Sequence, residues 1–367
     1  MRMIFDGHLD LSWNALSWGR DVALELDALN ADERLMTDHP ARGRATTTLP
    51  EMRRGGIAAC QATLLARARP QGRPADGPTR LNLDFANQEI ASATARGQLA
   101  YYELLERRGL LRMIRTAAQL DAHWRSWSAA PAETPIGYIL AMEGADPIVD
   151  VDQAAAWWDL GLRSVNLAHY GKSRYAVGTG GDGPLTPDGI RLLKEFERLG
   201  MILDATHLSD TSFFEALDLF DGPVLASHNN CRALVPDGRQ FSDEQIRLLI
   251  DRGAVIGAAL DAWMLFPNWI RGQTARDVVA LDAVADHIDR VCQLAGNARH
   301  AAIGSDLDGG FGTEQCPSGF ESIFDLHRLE AILSRRGYRD EDLDAILYGN
   351  WLRFFAESLP APSGGET

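Results

Sequence analysis

Histidines and carboxylates that close apolar segments are the feature of this sequence with the clearest chemical potential. Four of the nine histidines stand at or beside the end of such a segment, namely His8, His169, His207 and His228. Glu143 and Asp306 end two further segments. Imidazole nitrogens and carboxylate oxygens are good zinc ligands. If the segments are strands whose ends meet, these residues predict a metal site.

His8 and Asp10 are separated by a single residue at the end of the first apolar segment. In an extended chain, residues i and i+2 point to the same side, so both side chains could reach one ion. The motif is short, and an ordinary core histidine is the alternative at position 8.

Glu143 follows an apolar segment directly. A carboxylate that ends a buried strand is costly unless it is paired or coordinated. Its two oxygens could bridge two cations, and a helix cap or a salt bridge is the alternative. A carbamylated lysine is another known kind of bridge, but Lys172 lies beyond His169 and fits that role less well.

His207 and His228 end two successive segments, which is a stronger signal than either residue alone. Together with His8, Asp10 and Glu143 they predict two zinc ions, bridged by Glu143, with open positions for water. Mixed nitrogen and oxygen ligands also suit manganese, iron or cobalt.

Three further residues are candidates for catalysis and substrate binding. Asp306 could handle protons at a metal-bound water, or it could cap a turn. His169 could stabilise the oxyanion of a tetrahedral intermediate. Arg239 could clamp a substrate carboxylate through two hydrogen bonds, and an ordinary surface arginine is the alternative.

A glycine-rich run spans residues 178–183. It lacks the GxxxxGK[ST] pattern of a phosphate-binding loop and does not follow a strand. We therefore interpret it as a flexible loop at the active site.

Eight short apolar segments predict the strands of a buried parallel sheet. They span residues 3–8, 57–65, 136–143, 164–169, 201–207, 224–228, 254–260 and 301–306. Helical segments lie between them; Thr186 and Ser242 have the sequence context of helix N-caps. This alternation predicts an α/β fold, a (β/α)8 TIM barrel, whose strands end around one active-site mouth.

Insertions are expected after the first and second strands. Residues 12–49 are polar and irregular, and residues 68–78 form a loop that leads into a helical stretch at 81–127. We predict a single hydrolase domain over residues 1–359, followed by a disordered tail at 360–367.

Composition excludes several classes of protein. The formal net charge of −15 disfavours nucleic-acid binding. The four cysteines are scattered, as is typical of free thiols in a reducing compartment. No apolar segment approaches the roughly 18 residues of a membrane span, and no secretory signal is apparent. We expect a cytoplasmic protein without nucleic-acid or membrane partners.

Six short motifs resemble those of the membrane (renal) dipeptidases, peptidase family M19, and occur in the same order as in that family. They are DGHLD at 6–10, RGGI at 54–57, MEGA at 142–145, SHNN at 227–230, GSDLDG at 304–309 and GNWLR at 349–353. The resemblance spans almost the whole chain and implies an amidohydrolase-like metallopeptidase.

The resemblance also implies roles for individual residues. One zinc would be held by His8, Asp10 and Glu143, and the other by Glu143, His207 and His228. His169 would contact the scissile carbonyl, Arg239 would bind the substrate, and Asp306 would act as the acid and base. The tyrosine that animal members carry after the seventh strand has no clear counterpart here, which leaves substrate preference open.

The combined expectation is a zinc-dependent dipeptidase in which a metal-bridging hydroxide attacks dipeptides, including those with a C-terminal D-residue. The alternatives are an amidohydrolase that acts on N-acyl amino acids or lactones, and an inactive barrel that serves as a binding or scaffold protein. The family further suggests a homodimer.

Overall fold

A curled sheet of parallel β-strands lies at the centre of this computed structural model, which describes residues 2–69 and 83–361. The strands are β1 (Ile4–Leu9), β2 (Ile57–Leu64), β3 (Arg67–Ala68), β4 (Asp84–Phe85), β5 (Leu111–Met113), β6 (Ile136–Met142), β7 (Leu162–Asn166), β8 (Ile202–Asp204), β9 (Val224–Leu225), β10 (Ile256–Ala258) and β11 (Ala301–Ile303). Hydrogen bonds join β1, β2, β6, β7, β8 and β9 in that order, and β5 also pairs with β6. Two separate pairs are β10 with β11 and β3 with β4. Each of the eight apolar segments identified in the sequence overlaps one of these strands.

The β10–β11 pair contacts both edges of the larger sheet. On one side, the Ala226 amide, just after β9, donates to the Val255 carbonyl at 3.0 Å. On the other side, the Asp306 amide, which follows β11, donates to the His8 carbonyl of β1 at 3.3 Å. Because the strands pair in parallel, their carboxyl ends lie at the same end of the sheet.

Helices cover and connect the strands. They are α1 (Leu11–Trp18), α2 (Leu26–Glu33), α3 (Leu49–Arg54), α4 (Gln88–Arg107), α5 (Ala117–Ala129), α6 (Ala154–Asp159), α7 (Pro187–Leu199), α8 (Asp210–Leu219), α9 (Asp243–Asp251), α10 (Ala262–Leu265), α11 (Asp282–Ala295), α12 (Arg328–Arg335), α13 (Asp340–Asp344) and α14 (Asn350–Ser358). Within the described ranges, none of the helices combines the length and apolarity needed to cross a lipid bilayer.

Local capping explains where two of the predicted helices begin. The Thr186 side chain accepts the Gly189 amide at the start of α7, which ends at Gly200 with φ 77°. Ser242 and Gln245 form the expected reciprocal capping box of α9. These starts were predictable because the signals lie within a few residues of the helix ends.

Two regions differ from the sequence-based expectation. The segment 12–49 is not irregular, because it contains most of α1 and all of α2; α1 is buried on most sides and so lacks a clear amphipathic pattern. The stretch 81–127 is not one helix. Gly109, with φ 69°, follows the end of α4, and β5 intervenes before α5. The predicted loop at 68–78 lies outside the described residues from residue 70 onwards, as does the predicted tail from residue 362.

Gly304 and Gly257 let the last two strands pass the backbone of Ser227 at close range. A methyl group on Gly304 would lie 1.7 Å from the Ser227 carbonyl oxygen, and one on Gly257 would lie 2.1 Å from it. We expect Gly304→Ala to lower the free energy of unfolding by at least about 4 kcal/mol, because relief requires backbone movement inside a close-packed sheet.

Gly97→Ala is the matched control for this substitution. Its methyl group would make an ordinary contact of 3.5 Å with Leu16, and alanine favours a helix over glycine by about 1 kcal/mol. Urea unfolding measures both variants. Equal unfolding midpoints for Gly304→Ala and the wild type would contradict the prediction.

Candidate metal centre and active site

The side chains predicted to bind metal come together at the carboxyl ends of the strands. Their positions are His8 within β1, Asp10 directly after it, Glu143 directly after β6, His207 in the loop after β8 and His228 in the loop after β9. All of them are buried. The strands position these side chains, because the residues that follow parallel strands all lie at the same end of the sheet.

The Glu143 carboxylate is the centre of the cluster. Its Oε1 atom lies 3.0 Å from Nε2 of His207, 3.3 Å from Nε2 of His228 and 3.6 Å from Nε2 of His8. Asp10 Oδ1 lies 3.7 Å from His8 Nε2. Glu143 therefore belongs to two groups whose potential ligand atoms lie within 4.8 Å of one another: one is completed by His8 and Asp10, the other by His207 and His228.

The outward-facing ring nitrogens of these histidines are held by hydroxyl groups. Ser227 Oγ lies 3.2 Å from Nδ1 of His8 and 2.9 Å from Nδ1 of His228, and Thr179 Oγ1 lies 2.9 Å from Nδ1 of His207. Their Nε2 atoms consequently point inward. His8 Nε2 is buried and finds no hydrogen-bond partner among the described residues. Imidazoles supported in this way fit divalent metal ions.

Burial dominates the electrostatics of the centre. Burial and the nearby Asp10 carboxylate raise the pKa of Glu143 to about 8. Burial alone would lower the pKa of His8, but attraction to Glu143 and Asp10 outweighs it and raises this pKa to about 10. Burial lowers the pKa values of His207 and His228 well below the ordinary value. The neutral imidazoles of His207 and His228 can ligate a cation directly, whereas His8 and Glu143 must give up their protons when a metal ion binds.

Asp306 and His169 face the same centre. Asp306 Oδ1 lies 3.8 Å from His8 Nε2, and His169 Nε2 lies 3.7 Å from Glu143 Oε1. Burial raises the pKa of Asp306 well above its usual range, and burial together with the Arg67 charge lowers that of His169. Asp306 also forms a third possible ligand group with His8 and His228.

Arg239 is buried in the site rather than placed on the surface. Its side chain is almost fully buried; Nη2 donates to the His228 carbonyl at 2.8 Å and Nη1 donates to Asn229 Oδ1. It lines a cavity of about 190 Å³ together with Glu143, His169 and Asp306. The cavity therefore places a guanidinium beside the proposed metal ligands.

The glycine-rich run lies at the mouth of the site. Thr179, Gly180 and Gly181 line a larger outer cavity of about 830 Å³ that shares Arg239 with the inner one. The flexibility of this run stays a prediction. Lys172 is exposed and absent from the lining of the inner cavity, whereas Glu143 is buried and lines it.

Several supporting residues escaped the sequence-based reasoning. Ser227 and Thr179 orient the histidines, and Asp6 accepts hydrogen bonds from the amide and hydroxyl of Ser305 at 2.8 and 2.5 Å. Asp6 and Ser227 each stand within two residues of a proposed ligand, in the DGHLD and SHNN motifs, but these signals assign them no role. Thr179 lies in the glycine-rich run that was predicted to be an active-site loop, but its contact with His207 depends on how that loop folds.

Comparisons with known proteins identify the family. The model of the membrane dipeptidase family (peptidase family M19) matches residues 1–361. The chain is 31% identical over 208 residues to a Klebsiella pneumoniae protein named for the pqqA 5' region, which covers 54% of this chain and 73% of that protein. It is 32% identical over 198 residues to dipeptidase verJ of Clonostachys rogersoniana, which covers 53% of this chain and 48% of that relative.

A solved structure shares the fold along almost the whole chain. It is a metallo peptidase from Rhodobacter sphaeroides liganded with a phosphinate mimic of the dipeptide L-Ala-D-Ala. The TM-score is 0.77, with 24% identity over 98% of this chain and 99% of that chain. The alignment with verJ, by contrast, spans about half of that fungal relative.

Proposed function

Because the chain belongs to the membrane dipeptidase family, peptidase family M19, and is a hydrolase of the metallo-dipeptidase type, we propose that it cleaves dipeptides with two zinc ions as cofactors. The supporting observation is Glu143, whose Oε1 atom lies within 3.6 Å of imidazole nitrogens from three different strand ends. A carboxylate in this position can serve two cations at once.

The residues present fit that metal pair. His8 and Asp10 would hold one ion, His207 and His228 the other, and Glu143 would bridge them. When bound, such ions lower the pKa of water toward neutrality and polarise a carbonyl group. Mixed nitrogen and oxygen ligands also accept manganese, iron or cobalt, so zinc is part of the proposal.

The remaining residues of the cavity account for binding and proton transfer. Arg239 binds the C-terminal carboxylate of the dipeptide through charge-assisted hydrogen bonds. His169 donates a hydrogen bond to the scissile carbonyl oxygen as negative charge develops there. Asp306 removes a proton from the attacking water and delivers it to the leaving amine. The cavity of about 190 Å³ lies below the roughly 300–1,000 Å³ of typical drug-sized ligand pockets, which favours a small substrate.

A panel of dipeptides tests the proposed function. The protein is stripped of metal, reloaded separately with zinc, manganese, cobalt or iron, and assayed with L-Ala-L-Ala, L-Ala-D-Ala and larger dipeptides. The D-isomer is included because the related Rhodobacter sphaeroides protein is liganded with a mimic of L-Ala-D-Ala. Two bound metals without turnover of any dipeptide would refute the proposal.

Two other functions are tested by the same panel. Arg239 would equally bind the carboxylate of an N-acyl amino acid, so such compounds, and lactones, belong in the assay. A scaffold protein that has lost activity is disfavoured because every proposed metal ligand is present and buried.

Two structural features extend the proposal. We propose that the curled sheet is an eight-stranded barrel, since the β10–β11 pair contacts both of its edges. We also propose a homodimer, for which the family resemblance is the only support. Analytical ultracentrifugation measures the oligomeric state.

Arg239→Met is expected to raise KM for dipeptides about 100-fold while changing kcat much less. Truncating one partner of a buried charge pair costs about 2–5 kcal/mol, and the carboxylate bound by Arg239 keeps the same charge throughout the reaction. Steady-state kinetics with a dipeptide and its C-terminal amide measure the effect. The variant should also lose the preference of the wild type for the free carboxylate.

Arg232→Met is the control for this prediction. Arg232 lies on the same loop and pairs with Asp210 at 2.7 Å, and it is absent from the inner cavity. We expect it to leave KM within about twofold of the wild type, since partly exposed ion pairs contribute little. An unchanged KM in Arg239→Met would remove Arg239 from the binding site.

A further inference from the structure

An ion pair with Asp84 holds Arg67 in contact with His169. Arg67 Nε donates to Asp84 Oδ1 at 2.7 Å, and Nη2 donates to Asp84 Oδ2 at 2.9 Å. The Arg67 amide also donates to the Leu83 carbonyl at 2.9 Å. This arrangement directs the remaining nitrogen, Nη1, to within 3.2 Å of His169 Nδ1.

The chemistry of the two groups determines the direction of this contact. A guanidinium has N–H donors and no acceptor, so Nδ1 of His169 must accept the hydrogen bond. A neutral imidazole that accepts at Nδ1 carries its proton on Nε2. We propose that Arg67, clamped by Asp84, is a positioning residue that holds His169 in the Nε2–H tautomer, with this N–H directed at the substrate carbonyl oxygen. The inference deepens the proposed dipeptidase function and rests on it.

The surroundings of His169 agree with this role. Its Nε2 atom faces the inner cavity, 3.7 Å from Glu143 Oε1. The imidazole packs edge-on against the rings of Tyr170 and His207, with centroids 4.8 and 4.3 Å away. These contacts restrain the ring plane but donate no hydrogen bond to Nδ1. Among the residues that the structure describes, Arg67 is the donor to Nδ1 and so selects the tautomer.

Arg67 also lines the inner cavity, so direct substrate binding is the competing role. The two roles differ in kinetics. Loss of a positioning residue lowers kcat, because the hydrogen bond from His169 strengthens only as charge develops on the carbonyl oxygen. Loss of a residue that binds the ground state raises KM instead.

The first experiment is steady-state kinetics of the zinc-loaded full chain with L-Ala-D-Ala and L-Ala-L-Ala. We expect Arg67→Met to lower kcat about 10- to 100-fold with KM within about twofold, the range of effects for lost hydrogen-bond partners of metal-site residues. Asp84→Asn should act in the same direction with a smaller effect. A raised KM with unchanged kcat would overturn the proposal.

Arg69→Met is the matched control. Arg69 lies two residues away, 3.9 Å from the same Asp84, and donates to the Lys172 carbonyl. The Arg69→Met substitution removes one positive charge from the same segment but keeps the contact between Arg67 and His169 Nδ1. A loss of kcat as large as that in Arg67→Met would mean that charge or segment stability is responsible, and would overturn the proposal.

The second experiment reads the tautomer directly and requires no turnover. Histidine is labelled with ¹⁵N, and the His169 signals are identified by their absence from the His169→Asn spectrum. We expect a protonated Nε2 and an unprotonated, hydrogen-bonded Nδ1 in the wild type, and loss of the hydrogen-bonded Nδ1 signal in Arg67→Met. A proton on Nδ1 in the wild type would overturn the inference. Absence of dipeptide turnover by the wild type would refute the proposed function and leave this measurement interpretable.

Discussion

Glu143→Gln is expected to lose both metal ions and to lower kcat/KM by about 10³-fold or more, because the nucleophilic water and the polarised carbonyl both depend on bound metal. Glutamine keeps the shape of the side chain but removes its charge. Its amide nitrogen cannot bind a cation, and Glu143 Oε1 lies within 3.6 Å of His8, His207 and His228. No other described carboxylate belongs to both of the proposed ligand groups.

Metal content and activity are measured together in this experiment. The variant is dialysed against buffered zinc and analysed by elemental mass spectrometry, and kcat/KM is determined with the best dipeptide of the panel. Retention of both metals by Glu143→Gln would refute the bridging role.

Asp146→Asn is the matched control for Glu143→Gln. Asp146 is a carboxylate three residues further along, equally buried, and it accepts the Ala68 amide at 2.9 Å. It lies outside the proposed ligand groups. We expect this variant to keep both metals, so that loss of metal from Glu143→Gln cannot be attributed to a general disturbance of the loop after β6.

The sequence signals for the eight apolar strands and for the proposed metal ligands are local. A buried parallel strand is apolar throughout, and the polar residue that closes it is conspicuous, as at Glu143 and His228. The conversion of separate strand ends into one site needs only the rule that parallel strands end on the same side. The rule correctly places the residues that follow β9, although that strand has only two residues.

The remaining features depend on contacts between distant segments. Arg239 could not be distinguished from a surface residue because its burial depends on the His228 carbonyl and Asn229. Arg67 meets His169 across 102 residues of sequence. β5 has three residues, too few for alternation to stand out beside a long helix. Propensity and periodicity carry no information about such long-range contacts.

Ser227 links the fold and the site. Its hydroxyl lies within 3.2 Å of Nδ1 atoms on both His8 and His228, which belong to different proposed metal ions. Its carbonyl oxygen occupies the space that a side chain at Gly257 or Gly304 would need. The two glycines therefore allow the strands to approach closely enough for one hydroxyl to orient ligands of both ions.

Asp306→Asn is expected to keep both metal ions and to lower kcat by about 10²- to 10⁴-fold, the usual contribution of a general acid or base. Asparagine cannot accept and return a proton. It is the appropriate replacement because Asp306 has φ 57°, a left-handed conformation that asparagine tolerates better than most residues do. Loss of activity can then be attributed to the carboxylate rather than to backbone strain.

The control is Asp308→Asn, which changes the same residue type in the same conformation, φ 63°. Asp308 accepts the Thr46 amide and hydroxyl at 2.9 and 2.8 Å and the Thr47 amide at 3.1 Å, so its role is structural. We expect this variant to lose about 1–3 kcal/mol of stability through unsatisfied buried groups while kcat of the folded protein is retained.

Metal analysis of Asp306→Asn decides between two roles for the carboxylate. Asp306 Oδ1 lies 3.8 Å from His8 Nε2 and forms a possible ligand group with His8 and His228, so it could bind metal instead of carrying protons. A proton carrier leaves metal content at the wild-type value and lowers kcat. A ligand lowers the content by one ion, and activity should then recover in part at high zinc concentration. Full activity with full metal content would exclude both roles and would mean that another residue of the cavity carries the proton.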